Sequence, residues 1–212
     1  MLSLDKDRLL MVERQLARRG LDNAEVLAAM AEVPREAFVP EALQQHAYKD
    51  TPLPIPAGQT ISQPYVVALM IDAADVAPGD RVLEVGAGSG YAAAVLGRIA
   101  ARVYAIERHP ELATEAAERM RRLGYDNVEV RAGDGAHGWI EAAPFDAILV
   151  SASGKAIPQP LKEQLDIGAI LVMPVGPMHN QRLVKVRRTG ANSYKQDDLG
   201  AVRFVPLITG ES

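Results

Sequence analysis

The sequence predicts an α/β fold: a doubly wound, mostly parallel sheet that ends in antiparallel C-terminal strands and carries a helical N-terminal elaboration. Three observations predict it. Between Arg81 and Val175, short β-branched runs alternate with longer stripes of helical period. The first of these runs opens straight into a glycine-rich turn and an alanine-rich helix. Beyond Gly176 the pattern changes to two apolar segments around a polar stretch, the mark of a hairpin.

Elements follow in chain order. Leu9, Val12 and Leu16 form one apolar stripe, and Val26, Leu27 and Met30 form another behind an Asn23 cap, so residues 1–63 read as the helical elaboration. Pro52, Pro54, Pro56 and Gly58 forbid a helix from Thr51 to Gln63, which is predicted to be an extended connection lying on the surface. Pro64 then opens a further helix that closes at Pro78-Gly79. Strands are predicted at Arg81-Val85, Arg102-Ile106, Val128-Arg131, Asp146-Val150 and Ala169-Pro174, each short and apolar as expected when both faces are covered. A helix over Pro110 to Leu123 carries Leu112, Ala113, Ala116 and Met120 on one face, with Gly124 to end it. Leu183-Val186 and Ala201-Leu207 complete the sheet around a polar Arg187 to Gly200. With 212 residues, one unit is expected, in which 64–212 form the α/β core.

Composition excludes whole classes of function. A hydrophobic fraction of 48% against 24% charged residues describes a chain that folds by burial. A net charge of -4 offers no general attraction to phosphates or anionic lipid, so neither nucleic acid nor membrane is an expected partner. The absence of cysteine removes disulfides, thiolate-zinc sites and cysteine nucleophiles. The charges Asp5, Lys6, Asp7, Arg8, Glu13 and Arg14 break up the N-terminal segment, and no apolar run reaches the ~18 residues of a membrane span, so a cytoplasmic protein is expected; no hydrophobic surface stripe compels assembly, and monomer is the default. His46, His109, His137 and His179 share no ligand spacing, and no metal is expected. The basic clusters Arg119-Arg121-Arg122 and Lys185-Arg187-Arg188 read as solvated faces, and Trp139 as core rather than as a ligand platform.

The densest chemical signal is Val82-Leu83-Glu84-Val85-Gly86-Ala87-Gly88-Ser89-Gly90-Tyr91. Gly86, Gly88 and Gly90 let main chain approach a ligand closely. Glu107 ends the second strand about twenty residues on, where a carboxylate can accept both hydroxyls of a ribose. Asp134, in Gly133-Asp134-Gly135, ends the third strand on the same edge. Ligands of open α/β sheets bind outside the carboxyl ends of the strands, so these points should surround one crevice. The strict alternation of glycines differs from the G-x-G-x-x-G that accommodates a dinucleotide pyrophosphate, which disfavours a nicotinamide dehydrogenase.

The turn E-V-G-A-G-S-G, with acidic residues ending the next two strands, looks like that of class I S-adenosylmethionine methyltransferases, and the predicted sheet is then Rossmann-like. Along its whole length the chain resembles the protein-L-isoaspartate (D-aspartate) O-methyltransferase family. The marks are V-P-R-E-A-F-V-P (33 to 40), Y-K-D (48 to 50), G-Q-T-I-S-Q-P-Y (58 to 65), the glycine turn, G-D-G (133 to 135), F-D-A-I-L-V (145 to 150) and V-R-F-V-P-L (202 to 207). The G-Q-T-I-S-Q-P segment is the specific one. The resemblance implies methylation of the free α-carboxylate of L-isoaspartyl residues in damaged proteins and peptides, initiating repair through a succinimide. It also implies a cofactor site at Thr60, Ile61, Gln63, Glu84, Gly86, Gly88, Gly90, Glu107, Arg108, Asp134 and Gly135. Glu84 would lie beside the methionine end, Glu107 at the ribose and Asp134 at the adenine. Ser62 is implied as the catalytic residue and as a substrate contact, and the backbone at Val205 as a strand-like partner for the substrate peptide. The short segment past Leu207 is expected to lack contacts that longer relatives make there.

Residue chemistry suits that reaction. A carboxylate is ionised at neutral pH and attacks a sulfonium methyl without a general base, so no catalytic histidine is required. The Ser62 hydroxyl can donate to the acceptor carboxylate, and the helix beginning at Pro64 favours an anion nearby. Read without the resemblance, Ser62 is a helix cap. The rival functions are a methyltransferase of the same fold acting on a small-molecule hydroxyl or amine, which would need a base, and a non-catalytic S-adenosylmethionine-binding protein.

Overall fold

The computed structural model describes residues 2–210. Helix α1 (Leu2–Met11) runs into a wide turn of π-type at Val12–Leu16. The extra residue in that turn brings Met11 and Leu16, five apart, onto the buried face, while Leu9 stays exposed. The predicted Leu9–Val12–Leu16 stripe assumed an uninterrupted α-helical period and is corrected accordingly. Helix α2 (Ala24–Glu32) begins as expected at Asn23, whose side chain accepts from the amides of Glu25 and Val26.

The proline segment pairs with itself. Strands β1 (Leu53–Pro54) and β2 (Thr60–Ile61) form a small antiparallel ladder, Leu53 opposite Ile61. Leu53, Ile55 and Ile61 are buried, so this connection is anchored in the core rather than laid on the surface. Helix α3 (Pro64–Ala73) follows directly, with proline at its first position, where no backbone donor is lost.

The main sheet comprises β3 (Arg81–Val85), β4 (Arg102–Glu107), β5 (Val128–Ala132), β6 (Phe145–Val150), β7 (Leu165–Val175), β8 (Gln181–Gly190) and β9 (Ser193–Val202), in the order β5-β4-β3-β6-β7-β8-β9. Five strands are parallel, and β8 and β9 are antiparallel additions. Helices α4 (Tyr91–Gly97) and α5 (Pro110–Arg122) are the crossovers after β3 and β4, and α6 (Gln159–Glu163) precedes β7. Strand order reverses around β3, with β4 on one side and β6 on the other, which opens a crevice at their carboxyl ends.

Alternation along the central strands divides the interior in two. Val82, Ala147, Leu149, Ile170 and Val172 face one core, together with Met11, Leu16, Met30 and Phe38 of the N-terminal elaboration. Leu83, Val85, Ile148, Val150, Leu171 and Met173 face the other, which also holds Trp139. The hairpin is longer than predicted. Arg187–Gly200 is not a polar loop but most of two paired strands, with Val186 opposite Gln196, and residues 203–207 lie beyond the ladder. Two expected solvated cations are structural instead. Arg119 donates to the Ser89 carbonyl at 2.7 Å, and Arg188 donates to the carbonyls of Glu163, Leu165 and Ala191. Among the described residues, no helix is long and apolar enough to cross a membrane.

Candidate active site

Three connected spaces lie at the carboxyl edge of the sheet. The inner cleft has one part lined by Glu84, Gly86, Gly88, Ser89 and Tyr91, and a second lined by Gly86, Glu107, Arg108, Gly135 and Val205. Outside them runs a groove of about 470 Å³ between Pro52, Thr60, Ser62, Gln63 and Val66 on one wall and Ala201–Val205 on the other. Thr60, Ser62 and Ser151 border both the groove and the Glu84 part of the cleft, and Thr60, Ser151 and Val205 border both the groove and the Glu107 part, so the groove opens toward the cleft along these residues.

The glycine turn is held by its own amides. Gly86 and Ala87 donate to the Ile106 carbonyl at 2.8 and 3.1 Å, Gly88 donates to Glu107 Oε2 at 2.7 Å, and Gly90 donates to Ala87. A pyrophosphate cradle needs such amides turned outward, and these are turned in. The space beside the turn is therefore suited to a nucleoside without phosphates. Glycine is favoured at Gly88, where φ is +53° and a Cβ would stand 3.4 Å from Ile55 Cδ1. Gly90 serves packing instead. Its φ is +86° and a Cβ would meet Met120 Cε at 2.9 Å, so it seats α4 against α5 and lines neither part of the cleft.

Two carboxylates, Glu84 and Glu107, line the cleft, and the predicted third, Asp134, stands beside it without lining either part. Glu107 is buried, with Oε1 accepting the His109 amide at 2.9 Å and Oε2 accepting Gly88, which fixes its plane. Glu84 lies on the floor with Oε2 unpartnered. Burial, and secondarily the Glu107 carboxylate, push its pKa up to about 8, against the opposing pull of the Ala93 amide. A buried carboxylate with an empty coordination position fits a cationic group such as the ammonium of a methionine moiety. Asp134 accepts the Ala136 amide with Oδ1 and the Gly210 amide with Oδ2, and Arg108 stands 3.8 Å away. The segment past Leu207, short as it is, thus reaches across the cleft to Asp134. On the way, Leu207 donates to Ser153 and Ser153 donates to the Val205 carbonyl.

Most of the predicted site residues converge on this region. Thr60, Ile61, Ser62, Glu84, Gly86, Gly88, Glu107, Arg108, Gly135 and Val205 line the cleft or its opening, whereas Gln63 lines only the outer groove. Gln63 takes the first cap position of α3 without a side-chain cap bond, and Ser62 lies before it at the opening. Sequence reasoning missed Ser151, Ala152 and His109 as lining residues. The signal was available, because Ser151 follows the fourth parallel strand as Gly86 follows the first.

A reversed-order parallel sheet, a glycine turn with inward amides and acidic residues after successive strands together define the class I S-adenosylmethionine-dependent methyltransferase fold. Comparison with known proteins carries this further. The model of the protein-L-isoaspartate(D-aspartate) O-methyltransferase family matches residues 6–212, and the chain belongs to that family. It is 58% identical over 203 residues to the protein-L-isoaspartate O-methyltransferase of Methylorubrum extorquens, covering 96% of this chain and 89% of the relative. With the enzyme of that name from Methylorubrum populi it shares 56% identity over 206 residues, covering 97% of each. A β-aspartate methyltransferase structure from Plasmodium falciparum, solved in complex with S-adenosyl-L-homocysteine, superposes with a TM-score of 0.82 at 28% identity, covering 95% of this chain and 98% of that one.

Proposed function

We propose that this protein transfers a methyl group from S-adenosylmethionine to the free α-carboxylate of L-isoaspartyl residues in damaged proteins and peptides. The observation that carries the reading is the border of Thr60, Ser62 and Ser151 that the outer groove shares with an inner cleft suited to a nucleoside. Family membership supports the same chemistry.

In this reading Glu84 holds the ammonium of the cofactor's methionine moiety and Glu107 accepts both ribose hydroxyls. Gly86, Gly88, Thr60, Ile61, Arg108 and Gly135 complete the walls, Gly90 and Asp134 support the turn and the adenine end, and Gln63 faces the groove. The bound cofactor supplies an electrophilic methyl carbon. The chain itself provides placement. An α-carboxylate has a pKa near ~3.5, so it reaches the opening already ionised and needs no base. Ser62 donates one hydrogen bond to it and aligns the other oxygen with the cleft, and the groove walls exclude water. The Val205 carbonyl is engaged by Ser153, so pairing with the substrate backbone falls to the Val205 amide. Residues 1–63 and 64–212 act as one catalytic unit, a reading supported by the core that Met11, Leu16 and Phe38 share with Val82 and Val95. That unit works as a cytoplasmic monomer without nucleic acid.

Labelled methyl transfer to matched peptides tests the reading. Peptides with isoaspartate should be methylated and their aspartate counterparts left unlabelled, and equal labelling of the two would refute it. Ser62→Ala should lower turnover about tenfold or more, in keeping with the loss of one charge-assisted hydrogen bond, while S-adenosylhomocysteine affinity stays nearly constant. Unchanged turnover would remove Ser62 from the reaction.

A further inference from the structure

Arg35 is fully buried although it carries a permanent charge. Backbone and ring satisfy it: Nε donates to the Ala47 carbonyl at 2.8 Å, Nη2 donates to the Ser62 carbonyl at 2.7 Å, and the guanidinium lies 4.7 Å from the centroid of the Tyr91 ring. Nη1 has no partner. Burial pulls the pKa of the group down, as expected for a cation removed from water. An apolar side chain of similar volume would fill this position without that penalty. What that replacement could not do is donate to the Ala47 and Ser62 carbonyls, which it would leave unpaired.

Its two occupied donors bridge the N-terminal elaboration to the serine segment. That segment is held at three points. The β1–β2 ladder fixes its entry, with Thr60 opposite Pro54. Asp50 fixes its exit by accepting the Tyr65 amide at 3.1 Å, and Arg19 pairs with Asp50 at 2.6 Å while lying over the Tyr65 ring. Between them, the only side chain bonded to the Ser62 backbone among the described residues is Arg35. Holding the Ser62 carbonyl holds the peptide plane after Ser62 and so restricts ψ at Ser62, one of the two backbone angles that set where its Cβ points.

We propose that Arg35 is a positioning residue for methyl transfer: through the Ser62 carbonyl it aims the Ser62 hydroxyl at the opening between groove and cleft. The proposal rests on the reading of Ser62 given above. A planar guanidinium can donate from two edges at once to carbonyls on different segments. A lysine ammonium donates from a single point and cannot span them.

The test is a double-mutant cycle of Arg35→Lys and Ser62→Ala, with isoaspartyl peptide turnover and S-adenosylhomocysteine affinity measured for each protein. Arg35→Lys alone should lower kcat about 10- to 100-fold, the scale of a misplaced reacting group, with cofactor affinity within about twofold. Amide exchange over residues 60–63 should quicken. In the Ser62→Ala background the same substitution should cost less than about twofold, because the hydroxyl it aims is gone. Equal losses in both backgrounds, or a lowered melting temperature with kcat retained, would overturn the role of Arg35 while leaving Ser62 intact. Full turnover in Ser62→Ala would instead overturn the reading of Ser62, and Arg35 with it. Arg35→Gln, neutral and relieved of the burial penalty, enters the same cycle with the same criteria if Arg35→Lys does not fold.

Discussion

Glu84→Gln should lower S-adenosylmethionine affinity about 100-fold or more and at the same time stabilise the ligand-free protein at alkaline pH. The first effect follows from pairing, since an ammonium buried opposite a neutral amide has lost its counter-charge, a change that costs about 3 to 5 kcal/mol in buried pairs. The second follows from linkage. Glu84 titrates near its ordinary value of 4.5 in the unfolded chain and at about 8 in the folded one. A raised folded pKa means that the native state keeps a proton which the unfolded chain has released. The resulting stabilisation is complete below pH 4.5 and is lost as pH rises through 8. Glutamine does not titrate, so the stability gap in favour of the variant should widen from pH 5 to pH 8 and stay constant above. Melting curves of both proteins at several pH values read the gap directly. Cofactor binding to the natural protein should release protons below pH 8 and tighten as pH rises toward 8, which calorimetry in buffers of different ionisation enthalpy would detect. A variant that kept its affinity would show that Glu84 does not face the cofactor's cation, and a gap that did not change with pH would show that burial does not hold Glu84 protonated.

Glu107→Gln should be nearly as damaging to cofactor binding as Glu107→Ala, despite its small change in shape. Both carboxylate oxygens of Glu107 already accept backbone amides, those of Gly88 and His109. A glutamine has one oxygen and one NH₂ group, and whichever way it turns, the NH₂ meets an N–H donor. The substitution therefore loses a ribose acceptor and unfastens the glycine turn from the end of β4. Each charge-assisted bond lost from a buried site contributes about 1.5 to 3 kcal/mol. Affinity for S-adenosylhomocysteine should fall about 100-fold, and the melting temperature by about 4 to 10 °C for a chain of this length. Retention of near-native affinity in Glu107→Gln would show that the carboxylate plane is not what receives the ribose.

The parallel sheet was legible because buried strands write themselves as apolar runs, and β3, β4, β5 and β6 lie within a residue or so of their predicted limits. Strand β9 was illegible for the opposite reason. It is an edge strand with most residues exposed, so Lys195, Gln196, Asp197 and Asp198 can occupy it, and its polarity reads as a loop. The N-terminal stripe failed because one wide turn shifts helical phase without leaving a mark in composition. Among site residues, Glu107 and Asp134 could be placed on one edge from the parallel strands they end, whereas Glu84 and Gly135 came from the family resemblance. The groove walls could not, since they join Thr60 and Ser62 to Ala201–Val205, segments that no local pattern relates. Arg35 shows the limit most clearly. Its neighbours Val33, Phe38 and Val39 mark the segment as buried, and an arginine among them signals a buried cation, yet nothing in the sequence says that its partner is a carbonyl 27 residues on.

The two walls of the outer groove come from distant parts of the chain, one from before the main sheet begins and the other from the end of β9 and the residues beyond it. The groove therefore exists only while β9 stays zipped to β8, so fraying of that edge strand would dismantle the substrate side and leave the five parallel strands in place.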